Sequence, residues 1–211
     1  RTLERKANAV AKDARHRAAL IVERARVLEH REKRVDAAIE LYETALRLDP
    51  HASGANAALE RLCHLQQRWR DLIRVLERRA AQSEDPAERA LALYRVGRLH
   101  AERLGNRDDA LDALERATRE RPDDPLVLEE LASLLERSEA WARLVEVLGR
   151  LATVTAEGQE QLALWHRIGN LLDERLQRPA QAREAYARAL GIDPTHVPTL
   201  QALGRIYEQA Q

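Results

Sequence analysis

The chain has one cysteine, no phenylalanine and no methionine, and only 3% of its residues are aromatic. Each shortage excludes something. A lone thiol, Cys63, permits neither an intrachain disulfide nor a cysteine-based metal site. Scarce strand formers argue against a β-rich fold. No apolar run approaches the ~18 residues that a membrane-spanning helix needs. Basic and acidic residues balance at 35 each, so no net charge draws the chain toward nucleic acid or an anionic membrane. Also missing are a GxSxG elbow, a P-loop, an HExxH pair and a Rossmann glycine cluster. The seven histidines, at 16, 30, 51, 64, 100, 166 and 196, are dispersed. The expectation is therefore a non-enzymatic protein with no cofactor and no metal. The first residue is Arg and no signal-peptide pattern follows, which suggests a piece of a longer protein. Nothing fixes the compartment; a soluble, cytoplasmic chain is the expectation.

What is abundant is Ala, Leu, Arg and Glu, the strongest helix formers, so the chain reads as all-α. It also matches itself at an ungapped offset of 72 residues: between 91–138 and 163–210, 14 of 48 positions are identical. Gly97 falls on Gly169, Ala110 on Ala182, Ala117 on Ala189 and Pro122 on Pro194, with Ala38, Ala45 and Pro50 one period earlier. Trp69 falls on Trp141 in the same way. A fixed period of this kind marks stacked repeats rather than one closed globule.

Each period holds two helical hairpins. In 89–122, Leu93, Val96, Leu99 and Leu104 recur at helical spacing, Gly105-Asn106 breaks the run, and Ala110, Leu111, Ala113, Leu114 and Ala117 form a second. Pro122 and Pro125 end it, with Asp123 and Asp124 placed to cap the next helix. The same reading predicts helices near 17–32, 35–48, 53–66, 69–82, 86–104, 107–120, 125–137, 140–155, 159–176, 179–191 and 197–210. Segment 2–12 reads as the second helix of a hairpin whose first is missing, with Asp13 at the break. The array is therefore a single one over 1–211: a partial hairpin at 1–14, hairpins at 15–50, 51–84, 85–122, 123–156 and 157–194, and a trailing helix at 195–211. That last helix keeps interior rules at Leu200, Leu203, Gly204, Ile206 and Tyr207, so a further helix is expected to continue past Gln211.

These residues resemble the tetratricopeptide repeat family, whose motif is W-x2-L-G-x2-Y, then A-x3-F, an Ala and a Pro. Hairpin 162–194 carries Trp165, Ile168, Gly169 and Leu172, then Ala182, Tyr186, Ala189 and Pro194. Hairpin 90–122 carries Leu93, Val96, Gly97 and His100, then Ala110, Leu114, Ala117 and Pro122. The first full hairpin keeps Ala38, Tyr42, Ala45 and Pro50 but has Arg24 where the motif has Leu. The position after the motif Leu is small wherever helices cross, at Ala25, Gly97, Ala132, Gly169 and Gly204; Glu60 is the exception. The resemblance implies a right-handed superhelical array of antiparallel hairpins that binds a peptide or protein on its concave face, lined by the first helix of each hairpin.

Two past the motif Leu, the residues implied to face that groove are Arg26, Arg61, Arg98, Ser133, Asn170 and Arg205; Tyr94 and His166 are the rings on the same face. Arginine holds carboxylates by charge-assisted, often bidentate bonds, and Asn170 resembles the family's peptide-contacting Asn. The expected partner is a peptide, acidic or bound through its C-terminus. Against this stands neutralisation: Glu29 and Glu208 follow Arg26 and Arg205 at i+3, leaving Arg61 and Arg98 as the arginines without an acid at that spacing. Two other functions stay open. An assembly or oligomerisation scaffold would use the same surface. An RNA-binding helical repeat would need a basic stripe with stacking rings. Cys63 lies beside His64, but neighbours in a helix point about 100° apart, so Cys63 reads as a buried apolar residue. Trp165 reads as core, and Trp69 and Trp141 as packing under turns.

Overall fold

The computed structural model describes the backbone of residues 2–156 and 158–209 and the side chains of 12–156 and 158–208. Among the described residues there are eleven α-helices and no strand. They are α1 Thr2–His30, α2 Val35–Leu48, α3 Ala55–Leu65, α4 Trp69–Gln82, α5 Pro86–Leu99, α6 Arg107–Glu120, α7 Pro125–Arg137, α8 Trp141–Val154, α9 Gln159–Asn170, α10 Pro179–Ile192 and α11 Val197–Gln209. α5 and α9 each run on into a wider, π-helical turn, His100–Leu104 and Leu171–Arg175. Two starts are capped as their sequence suggests: Asp85 accepts from the amide of Ala87 at 2.9 Å and Asp124 from that of Leu126 at 3.1 Å, each with Pro at the first helical position.

One expected break is absent. α1 runs unbroken through Asp13, where the reading of the sequence separated 2–12 from the next helix. Asp85 and Asp124 precede proline and stop being helical; Asp13 precedes Ala14 and instead pairs with Arg17 one turn on, at 3.1 Å. The side chains of residues 2–11 lie outside the described residues.

The chain divides into two compact units, Arg1–Glu84 and Asp85–Gln211. In the first, α1 pairs with α2 and α3 with α4 around Ala18, Val22, Ala25, Ile39, Tyr42, Leu59 and Leu62. In the second, α5/α6, α7/α8 and α9/α10 form hairpins, and α11 packs on α10. Its core is built from Leu114, Leu128, Leu135, Leu144, Leu148, Leu162 and Tyr186, all within 2% of complete burial.

The turns inside the hairpins repeat. Residues with left-handed backbone stand at Lys33, Gly105 and Gln177, spaced by 72, and at Gln67 and Glu139, also spaced by 72. At the first three, the amide six residues on closes the turn, as Arg34 to Leu28, Asn106 to His100 and Arg178 to Leu172. At the other two the closure is five residues, Arg68 to Cys63 and Ala140 to Leu135. The extra residue of alternate hairpins is thus absorbed by a widened helix end, which after α5 and α9 is the π-helical turn.

Helix crossings explain the small residues. A Cβ built on Gly97 would meet Leu114 Cγ at 2.8 Å, and one on Gly169 would meet Tyr186 Cε1 at 2.2 Å. Ala25 and Ala132 are buried at equivalent places. Two positions behave otherwise. Glu60 is largely buried and bonded to Arg79 at 3.1 Å, and Gly204 is exposed with nothing within 4 Å of its missing Cβ.

Candidate functional site

The first helices of the Asp85–Gln211 unit, α5, α7, α9 and α11, supply most of the lining of three successive hollows; the third overlaps the first at His166 and Pro198, the equivalents of Tyr94 and Leu126, and extends further along its helices. Between α5 and α7 lies a hollow of about 250 Å³, lined by Leu91, Tyr94, Leu126 and Val127 with Asp85, Glu88, Arg121 and Asp124 at its rim. Leu91 and Leu126 are half exposed, while Tyr94 is nearly buried. Between α7 and α9 lies one of about 410 Å³, with Glu129, Glu160, Ala163, Leu164 and Arg167, and with Leu151 and Thr155 from the end of α8. Between α9 and α11 lies one of about 610 Å³, with His166, Asn170, Glu174, Gln201, Arg205 and Glu208.

The third hollow has a wall made of one directed hydrogen-bond chain. The Tyr186 hydroxyl donates to Asn170 Oδ1 at 2.7 Å. Asn170 Nδ2 lies 3.2 Å from His166 Nε2, His166 Nδ1 lies 3.0 Å from the Thr199 hydroxyl, and that hydroxyl lies 2.7 Å from His196 Nδ1. Every member is satisfied if the amide donates to a neutral His166, whose Nδ1–H donates to Thr199, which donates to His196 Nδ1. The chain ties α10 to α9 and α9 to α11. Burial, with His196 adding to it, holds the His166 imidazole below its usual range, which favours the neutral form. Burial, then Asp173, pushes the Tyr186 phenol up to about 12, so it remains a donor.

The residues expected at the groove are not all alike. His166, Asn170 and Arg205 share the third hollow, and Tyr94 lines the first. Arg98 reaches over Tyr94 at 6.0 Å and pairs with Glu102 at 2.5 Å and Glu130 at 3.9 Å. Arg26 and Arg61 belong to the other unit. Arg26 pairs with Glu23 at 2.6 Å rather than with Glu29. Arg61 is bonded to Glu29, which also accepts from the Tyr42 hydroxyl at 3.0 Å and is 6% exposed. The two arginines that lack an acid at i+3 therefore find acids elsewhere, Glu29 from the preceding hairpin and Glu102 one turn on. Arg205 has no acid partner among the described residues, Glu208 included.

Not singled out from sequence were Glu129, Glu160, Glu174, Gln201 and Thr199, and Glu208 was read only as a neutralising neighbour of Arg205. Glu129 and Gln201 stand where Tyr94 and His166 stand in their own hairpins, so the position was readable throughout. Thr199 gave no signal: its partners come from α9 and from the turn before α11. Cys63 is buried, His64 turns away to meet Trp69 edge-on at 5.6 Å, and burial followed by Asp71 raises the thiol's pKa. Trp165 is core, with the Arg188 guanidinium 4.5 Å above it; Trp141 meets Arg175 at 5.2 Å. Among the described residues no group of His, Cys, Asp and Glu could hold a metal, and no helix is long and apolar enough to cross a membrane.

Sequence profiles described as "Tetratricopeptide repeat" match residues 20–51 and 162–196, 57–90 and 91–124, together more than half of the chain. The chain belongs to the tetratricopeptide repeat family. Its fold is that family's stack of helical hairpins, and the family consists in general of non-enzymatic scaffolds for protein–protein interaction. Similar solved structures include YrrB, described as a TPR protein with an unusual peptide-binding site, at 17% identity over 86% of this chain and 89% of that one, TM-score 0.47. MamA is similar at 16% identity over 87% and 93%, TM-score 0.49. Pseudomonas aeruginosa pilF is similar at 16% identity over 92% and 82%, TM-score 0.46. No curated protein matches the sequence.

Proposed function

We propose that this tetratricopeptide repeat protein is a scaffold that binds an extended peptide along the first-helix row of Asp85–Gln211. The observation that carries the reading is the succession of three hollows, between α5 and α7, α7 and α9, and α9 and α11. Repeated sites on a preformed surface suit a peptide that makes many modest contacts. Leu91, Leu126 and the edge of Tyr94 offer an apolar seat at one end. Asn170 and Gln201 offer amides at the other, and Arg205, alone of the four groove arginines, has no acid partner among the described residues. A peptide's C-terminal carboxylate is the group Arg205 would take. The sequence expectation of an acidic ligand rested on a row of available arginines, and three of the four are already paired. The RNA reading needs open stacking rings; Tyr94 is nearly buried and His166 is built into the hydrogen-bond chain.

The test is selection of short random peptides with free C-termini on the immobilised 211-residue chain, followed by affinity measurement. Peptides that are enriched should bind the Arg205→Ala, Gln201→Ala variant at least tenfold more weakly. Enrichment of nothing, or unchanged binding to that variant, would refute the groove.

A further inference from the structure

The row that reads as arginine-rich in the sequence is acid-rich in the structure. Glu129 and Glu160 line the middle hollow, and Glu174 and Glu208 the third. None of these four carboxylates has a cationic partner among the described residues. The cations nearby are mostly spent: Arg167 on Glu136 at 2.7 Å, Arg121 on Asp124 at 3.3 Å and Arg98 on Glu102. Arg205 alone is left. Four open carboxylates therefore face one open guanidinium, inside hollows of about 410 and 610 Å³ that are large enough to admit side chains. Net charge does not reveal this, because the compensating arginines sit elsewhere in a chain of zero net charge.

The hollows also differ in kind. The first is apolar, with exposed Leu91 and Leu126; the second and third are acidic, each with an aliphatic or amide floor from Leu164, Asn170 or Gln201. Lysine and arginine suit such a floor and rim, since their stems pack on apolar surface while their heads reach carboxylates. From this arrangement we infer that the partner is a basic peptide, with an apolar residue seated between α5 and α7 and Lys or Arg side chains directed to the Glu129/Glu160 and Glu174/Glu208 pairs. The inference rests on the groove reading and narrows it: side chains are basic, and an acidic group on the ligand is confined to the end that meets Arg205.

The same selection of short random peptides tests it, now by composition. Enriched peptides should gain Lys and Arg and lose Asp and Glu relative to the input library. The best of them should bind the Glu129→Gln, Glu160→Gln, Glu174→Gln, Glu208→Gln variant on the order of tenfold more weakly, about twofold for each of the four carboxylates removed, with a shallower salt dependence. These substitutions keep side-chain size and lie on the surface, and circular dichroism checks that the helices are retained. Enrichment of acidic or charge-balanced peptides that still depend on Arg205 would overturn the basic partner and leave the groove standing. Unchanged affinity in the quadruple variant would also overturn it. No enrichment at all would remove both readings.

Discussion

Replacing Gly169 by Ala adds one methyl group at the tightest crossing in the protein. The new Cβ would stand 2.2, 2.5 and 2.7 Å from Cε1, Cδ1 and Cζ of Tyr186. That ring is fully buried and held through its hydroxyl by Asn170, so it has little room to withdraw. Overpacking of this kind costs about 1–3 kcal/mol, and the severity of the overlap places it at the upper end. Alanine returns about 1 kcal/mol of helix propensity. The net expectation is destabilisation by about 2 kcal/mol, a fall in melting temperature of about 4–8 °C. Gly149 supplies the matched control: it lies within α8 with nothing inside 4 Å of its missing Cβ. Gly149→Ala should therefore stabilise by about 1 kcal/mol. Both variants are read by thermal and urea unfolding followed by circular dichroism. If Gly169→Ala proved as stable as Gly149→Ala, the close-crossing explanation of the small positions would fail. The same substitution should weaken peptide binding, because displacing Tyr186 disturbs the Asn170–His166 wall.

Arg61→Ala removes the guanidinium from Glu29, which is 6% exposed, and should lower stability by about 1–3 kcal/mol, measured by urea unfolding. A loss below a few tenths would show the pair to be incidental. His166 is held below its usual value of about 6.5, so the unfolded chain binds the proton more readily. Its contribution to stability is complete above about pH 6.5 and is lost as pH falls through the lower folded value. Melting temperature should fall as pH drops below about 6.5, and His166→Gln should flatten that slope; equal slopes would contradict the assignment. Cys63, buried and raised in pKa, should resist iodoacetamide in the native protein and react once urea unfolds it. Rapid native alkylation would contradict its burial.

The helices were legible because Ala, Leu and proline-flanked turns repeat at a fixed spacing, and local signals of that kind decide where helices start and stop. The capping aspartates Asp85 and Asp124 illustrate it. Asp13 shows the limit: the same residue type without a following proline is compatible with helix, and the chain continues through it. At the site, position alone found Tyr94, His166, Asn170 and Arg205. It did not give their availability, since an arginine's partner is set by packing between hairpins. Arg61 meets Glu29, 32 residues away, and no i, i+3 or i, i+4 rule reaches that far. The acidic character of the groove was hidden for the same reason, because counting charges along a helix does not show which are already paired.

The central claim is that peptide binds on the first-helix row of Asp85–Gln211. Amide chemical-shift mapping of the labelled chain, titrated with a peptide enriched on it, tests this most directly. The account predicts shifts concentrated at Tyr94, Glu129, His166, Asn170, Gln201 and Arg205. Shifts concentrated instead on the second helices α6, α8 and α10, or confined to Arg1–Glu84, would contradict it.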